Sequence, residues 1–340
     1  MTQEELYEKG RALQARVNQL QQSQQESRRD ALADRTNTST ADEDVEEAET
    51  DDVREVSFMR ALGKKFCVTH YIWVPYEDEI FHTELSTYNP IDRFEKEKPQ
   101  PYNRMQGALR DLREVIPAQY HKSEEFEGWV RTMFLDGQKI ERRAVRNRLR
   151  NNPSLFELIG RLPNPKKPGH FFYDTFKVPI LHENYDDSVP FDANKFLLNK
   201  QLFVVHAAIT KGVTGGREVA TGVEQEPLEH NEKLWGLKKT TPGMIAGAAV
   251  WLRWIYSRDE KFTRIGATTG INWEDEYDAY LAWLHLGLQS KVDITLELFR
   301  RWDELFYPQA AHDDDELADG DGEDAVQEGR DEAMELLRQA

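Results

Sequence analysis

Apolar residues within positions 56–308 recur at steps of three and four, the spacing that places side chains on one face of an α-helix. The clearest stripe contains Met105, Leu109 and Leu112 and predicts a helix over 103–117. The same spacing predicts further helices that begin near six other positions: Phe58, Ser123, Asp192, Thr241, Asn272 and Asp293. Strand-like alternation is scarce. The pattern predicts an all-α fold, an irregular multi-helix domain with long loops.

Several helix ends carry residues suited to a cap or a stop. Thr241 precedes Pro242, which combines an N-cap with a residue preorganised for the first turn. Asn272 can accept hydrogen bonds from the first free N–H groups of the next helix. Pro153 ends the helix that begins near Ser123. We interpret the glycine-containing segment 212–216 as a flexible helix stop.

The segments on either side of this pattern differ from it. Residues 1–33 predict a polar helix, and a short heptad seam over 6–20 makes a weak homodimer the alternative to a solvated helix. Residues 34–55 form a low-complexity acidic linker, and residues 309–340 form an acidic tail. Both are predicted to be disordered because they offer little apolar surface to bury. The folded domain is expected to occupy 56–308.

The formal net charge of −18 is concentrated in these flanks. Residues 56–308 hold 35 basic and 35 acidic side chains, whereas residues 309–340 hold 2 basic and 12 acidic ones. Acidic arms around a neutral core are compatible with a chaperone for basic proteins, acting through residues 42–55 and 313–332.

Cys67 is the single cysteine, so the chain forms no internal disulfide, which favours a reducing compartment. It lies in an apolar run and is expected to be a buried, inert thiol. The first residues lack the pattern of a signal peptide, and no apolar run approaches the roughly 20 residues of a membrane span. We expect an intracellular protein of the nucleus or cytoplasm, with no membrane partner.

Metal and catalytic signatures are missing. His230 and Glu232, with the distant His285, imitate an iron triad only loosely, and His285 fits a core position better. His182 and Glu183 belong to a polar loop that is expected to be a solvated turn. We therefore predict no catalytic residue, no metal site and no cofactor.

One basic segment, KIERRAVRNRLR, stands out within the core sequence. On a helix, five of its basic residues share a face and are the candidate nucleic-acid contacts: Lys139, Arg142, Arg143, Arg146 and Arg150. A solvated face that pairs with the acidic tail is the favoured interpretation of this segment by itself, because charge runs are common on exposed helices. Gly137 can divide this helix.

Tryptophans crowd the C-terminal half, and at helical spacing they indicate core packing. We expect Trp251 and Trp283 to be buried.

The stretch from Trp235 to Leu284 contains WGLKKTTPGMIAGAAVWLRWIYSRDEKF and then IGATTGINWEDEYDAYLAWL. Its Thr-Pro helix start, its Ser-x-Asp and Phe, and its Gly-x-x-Thr-x-Ile turn resemble a domain family of unknown function expanded in mushroom-forming (basidiomycete) fungi. The resemblance covers about residues 165–308. It implies no activity and transfers no functional residue.

These observations favour an α-helical binding or interaction protein without enzymatic activity. Its partner is predicted to be nucleic acid or a basic protein. Besides the acidic chaperone, the alternative is an enzyme with a polar cleft near 170–192 and 230–232. Titratable residues that converge on a deep pocket would favour the enzyme, and a convex basic stripe would favour nucleic acid. A neutral core without such a feature would favour the acidic chaperone.

Overall fold

The computed structural model describes residues 51–94, 100–121, 124, 126–156, 174–184, 192–223 and 234–308. The predicted seam over 6–20, the acidic tail and His230 with Glu232 lie outside these residues.

The described residues form eight α-helices and no β-strand, which confirms the all-α prediction. In chain order the helices are α1 (Asp51–Thr69), α2 (Gln100–Val115), α3 (Arg131–Arg150), α4 (Lys200–Thr210), α5 (Gly212–Thr221), α6 (Pro242–Tyr256), α7 (Trp273–Gln289) and α8 (Asp293–Phe306). A π-helical turn, Phe126–Val130, precedes α3. Six single 3₁₀ turns lie in the connections: Ile80–His82, Ile91–Phe94, Ala118–Tyr120, Pro153–Leu155, Pro179–Leu181 and Ala193–Lys195.

Helix α1 begins at Asp51, inside the segment predicted as a disordered linker over 34–55. Val56, in its second turn, is buried, whereas Arg54 and Glu55 are exposed; Tyr120 donates a 3.5 Å hydrogen bond to Glu55. The helix therefore starts about one turn before the predicted boundary at Val56, in a segment whose acidic composition predicted disorder.

Helices α1 and α3 cross with their backbones in contact. A side chain at Gly63 would overlap the carbonyl oxygen of Phe134, and one at Gly137 would overlap the carbonyl oxygen of Arg60. The expectation that Gly137 can divide the basic helix is wrong, since α3 runs unbroken through it. Glycine is needed there for close approach rather than for flexibility.

The main hydrophobic cluster extends from Val56 to Tyr307 and has α6 at its centre. Nearly every side chain of α6 is buried, and the predicted core residues Trp251 and Trp283 are 3% and 1% exposed. None of the described helices combines the length and the apolar character required to cross a membrane.

Two predicted caps are present: Thr241 accepts a hydrogen bond from the N–H of Met244, and Asn272 accepts two from the start of α7. Asp192, in contrast, caps only a 3₁₀ turn, and Asn199 caps α4.

Candidate anion-binding cleft

Helix α3 presents its basic face to an open cleft of about 580 Å³. Four of the five predicted contact residues line this cleft: Lys139, Arg142, Arg143 and Arg146. They lie at helical steps of one, three and four, so one face carries all four. The cleft is concave, whereas the shape expected from the sequence for a nucleic-acid contact is a convex basic stripe.

Two other segments complete the cleft. Trp73 and Glu77 come from the connection after α1, and Phe262, Thr263 and Arg264 come from the loop between α6 and α7. Arg264 adds a fifth cation, which comes from the loop between α6 and α7 rather than from α3. Glu77 is the one carboxylate among the described lining residues.

Arg142 is held in place without a carboxylate. Its guanidinium donates to the carbonyl oxygen of Ile72 at 2.8 Å and to the side chain of Gln138 at 3.3 Å. Gln138 in turn donates to the carbonyl oxygen of Tyr71 at 2.8 Å. Burial lowers the pKa of Arg142, and the nearby positive charge of Arg264 also lowers it. The Arg142 guanidinium is therefore held in place by hydrogen bonds, while burial and the neighbouring Arg264 disfavour its positive charge.

The outer cations are less constrained. Lys139 and Arg143 are exposed and form no ion pair with any residue that the structure describes. Among the described residues, Arg146 donates only to the amide oxygen of its neighbour Asn147, at 3.0 and 3.2 Å. These three side chains are therefore available to a negatively charged ligand.

Arg264 differs from the α3 cations because it has two carboxylate partners. Its Nε lies 3.1 Å from Glu274, and a terminal nitrogen lies 3.4 Å from Glu77. Burial raises the pKa of Glu274. Arg264 therefore lies at the edge of the cleft between one carboxylate partner inside the cleft and one outside it.

Three aromatic rings form a stack that leads from the core to the cleft. Phe262 lies between Trp251, at a centroid distance of 3.7 Å, and Trp73, at 5.0 Å. The interplanar angles are 28° and 23°. Trp73 keeps 8% of its surface exposed. The stack anchors the two segments that face α3.

The loop that carries Phe262 and Arg264 is rigidly built around Asp259. This buried carboxylate accepts hydrogen bonds from the backbone N–H groups of Thr268 and Thr269 at 2.8 and 3.0 Å, and from the Trp273 indole at 3.2 Å. Asp259, Thr268 and Thr269 belong to the Ser-x-Asp and Gly-x-x-Thr-x-Ile motifs of the sequence. The motifs thus position one wall of the cleft.

Arg150, the fifth predicted contact, does not line the cleft. Its guanidinium stacks 4.5 Å from the Trp254 ring and donates to the carbonyl oxygen of Asp259. Its neighbour Arg148 donates to the carbonyl oxygens at the end of α4. The C-terminal turn of α3 therefore serves packing, since neighbouring loops reach it there.

The other candidate residues lie apart from the cleft. The imidazole of His182 is 2.7 Å from the carbonyl oxygen of Phe176, whereas His285 packs against Phe94. Cys67 is buried as predicted, and burial raises its pKa to about 12. Within the described ranges no group of three or more His, Cys, Asp or Glu side chains could hold a metal ion.

Sequence reasoning missed Trp73, Glu77, Phe262 and Arg264 as parts of the site. They come from two segments that are about 190 residues apart, and each segment is more than 60 residues from the basic residues of α3. No local pattern in the sequence therefore links them. A comparison with protein-family models finds no match, and searches of curated proteins and of solved structures also find none. The resemblance to the fungal domain family stays an expectation from the motifs.

Proposed function

We propose that this chain is a binding protein that contacts nucleic acid through the cationic cleft. The observation that carries the proposal is the gathering of Lys139, Arg142, Arg143, Arg146 and Arg264 around one concavity whose described lining includes a single carboxylate. The four cations on α3 have no carboxylate partner among the described residues, so they repel one another, and a bound phosphate relieves that repulsion.

A basic protein is the less favoured partner at this surface because the cleft would repel it. The acidic tail, residues 309–340 with 12 acidic and 2 basic side chains, is an internal competitor in this proposal. The enzyme alternative gains no support from His182, which is engaged with backbone. The chaperone segments lie almost entirely outside the described residues.

The test is fluorescence anisotropy with labelled oligonucleotides, offered as single strands and as duplexes, at low ionic strength. We expect the Arg143→Glu/Arg146→Glu protein to bind at least about tenfold more weakly, since two phosphate contacts become repulsive. Arg142 is left unchanged because it also holds the backbone at Ile72.

The matched control is Lys238→Glu/Lys239→Glu, which makes the same change in net charge at two exposed lysines outside the cleft. It should retain affinity within about twofold. Deletion of residues 309–340 should tighten binding. Equal losses in both double variants, or no binding to either oligonucleotide form after tail deletion, would reject the proposal.

A further inference from the structure

We infer that the cleft accepts one unpaired nucleic-acid strand rather than a duplex, and that Glu77 competes with the strand for Arg264. This inference rests on the proposed function and specifies its substrate class. It is carried by the shape of the cleft, the placement of its cations and the pairing of Arg264.

Shape is the first argument. The basic face of α3 is one wall of a concavity, with Trp73 and Glu77 on a second wall and the 262–264 loop on a third. A duplex presents its phosphates on the outside of a stiff rod and reaches only the rim of such a cleft. A single strand is narrow enough to lay its backbone along the floor, as in grooves that bind unpaired strands.

The placement of the cations is the second argument. Along α3, Lys139 and Arg143 are one turn apart, as are Arg142 and Arg146, which corresponds to a rise of about 6 Å. Successive phosphates of an extended strand have a comparable separation. Arg264 faces this row from another segment, so a phosphate held by α3 meets a guanidinium from the loop as well.

The lining also contains rings. The stack from Trp251 through Phe262 ends with Trp73 at the cleft. Trp73 is only 8% exposed and one of its faces lies against Phe262, so these rings build the wall of the cleft rather than a platform for stacking bases.

Glu77 supplies the regulation. It lies 3.4 Å from Arg264 and lines the same cleft, so a phosphate and Glu77 compete for that guanidinium. Glu274 lies 3.1 Å from the Arg264 Nε as a second ion-pair partner, although this nitrogen makes no hydrogen bond. Removal of the Glu77 charge therefore frees Arg264 for the ligand while one carboxylate remains beside it.

The experiment uses the full chain and a short fluorescein-labelled oligothymidine at low salt. Unlabelled single strand, a blunt hairpin duplex, a mononucleotide and inorganic tripolyphosphate serve as competitors. We expect the single strand to compete at least about tenfold better than each of the others. The Glu77→Gln protein should bind the labelled strand about threefold to tenfold more tightly.

The matched control is Glu114→Gln, which removes a carboxylate paired with Arg110 on α2, away from the cleft, and should leave affinity unchanged. Circular dichroism and melting curves verify that both variants fold. Equal competition by the duplex or by tripolyphosphate would overturn the strand preference. Unchanged affinity of Glu77→Gln would overturn the competition. In either case a loss of binding in Arg143→Glu/Arg146→Glu would still support the proposed function.

Discussion

The arginines of the core and those of the cleft are treated differently by the same fold. In the core, Arg253 pairs with Glu276 and Arg93 pairs with Asp111, and each also donates a 2.6 Å hydrogen bond to a tyrosine hydroxyl. At the cleft, Arg142 bonds to a carbonyl oxygen and an amide. Arg143 has no carboxylate partner among the described residues. The chain supplies counter-charges to these core arginines, whereas the cations that α3 presents to the cleft have no carboxylate partner among the described residues, which is why we attribute a ligand to that surface.

Among the tests of this contrast, Arg253→Met is expected to have the largest effect on stability. Arg253 is fully buried, so its loss leaves Glu276 and the Tyr280 hydroxyl without their cation in the interior. We expect the free energy of unfolding to fall by about 3–5 kcal/mol. Urea denaturation followed by circular dichroism measures it, and a loss below about 1 kcal/mol would mean that the pair is dispensable.

A test with an intermediate expected effect on stability concerns His206, a core side chain that stays neutral in the folded state rather than forming an ion pair. Burial lowers the pKa of His206 to about 3. Between about pH 6.5 and pH 3 the unfolded chain binds a proton that folded His206 does not, so stability falls as the pH decreases through this range. From pH 7 to pH 5 this contribution is about 2 kcal/mol.

The variant for this test is His206→Leu. Its unfolding free energy should change by about 2 kcal/mol less than that of the parent between pH 7 and pH 5, because other histidines still titrate. Identical pH profiles would show that His206 takes up its proton normally in the folded state.

The smallest expected effect is that of Arg143→Met, the same substitution made at the cleft. Because Arg143 is exposed and has no ion pair within the described part of the chain, the free energy of unfolding should change by no more than about 0.5 kcal/mol. Urea denaturation under the conditions used for Arg253→Met gives the comparison. A loss approaching that of Arg253→Met would assign Arg143 a structural role.

Local signals in the sequence were sufficient for much of the helical framework. The Thr241 and Asn272 caps, the buried tryptophans and the shared face of Lys139 to Arg146 follow from short-range spacing, and the structure has them. Such features depend on the helical period alone, which a single sequence expresses directly.

Features that depend on tertiary packing were not predictable in this way. The interpretation of residues 212–216 as a helix stop is right at Gly212, where α4 has ended and φ is +78°, but the segment is not flexible, since Gly212–Thr221 is helix α5. The backbone at Gly216 packs so closely on Ala208 of α4 that a side chain there would crowd it, and this contact outweighs the low helix propensity of glycine. The position of Arg264 at the cleft also depends on tertiary structure, because it is set by a loop that folds around Asp259.

The crossing of α1 and α3 has a mechanical consequence for the cleft. At Gly63 and Gly137 the backbones of the two helices are in contact, so the distance between the helices is set by main-chain atoms rather than by adaptable side chains. Helix α1 leads directly to Trp73 and Glu77, while α3 carries the cations. The crossing therefore fixes how α1 and α3 are oriented. A bulkier residue at Gly63 or Gly137 would change the angle between the two helices and misalign the two walls of the cleft, although neither glycine lines the cleft.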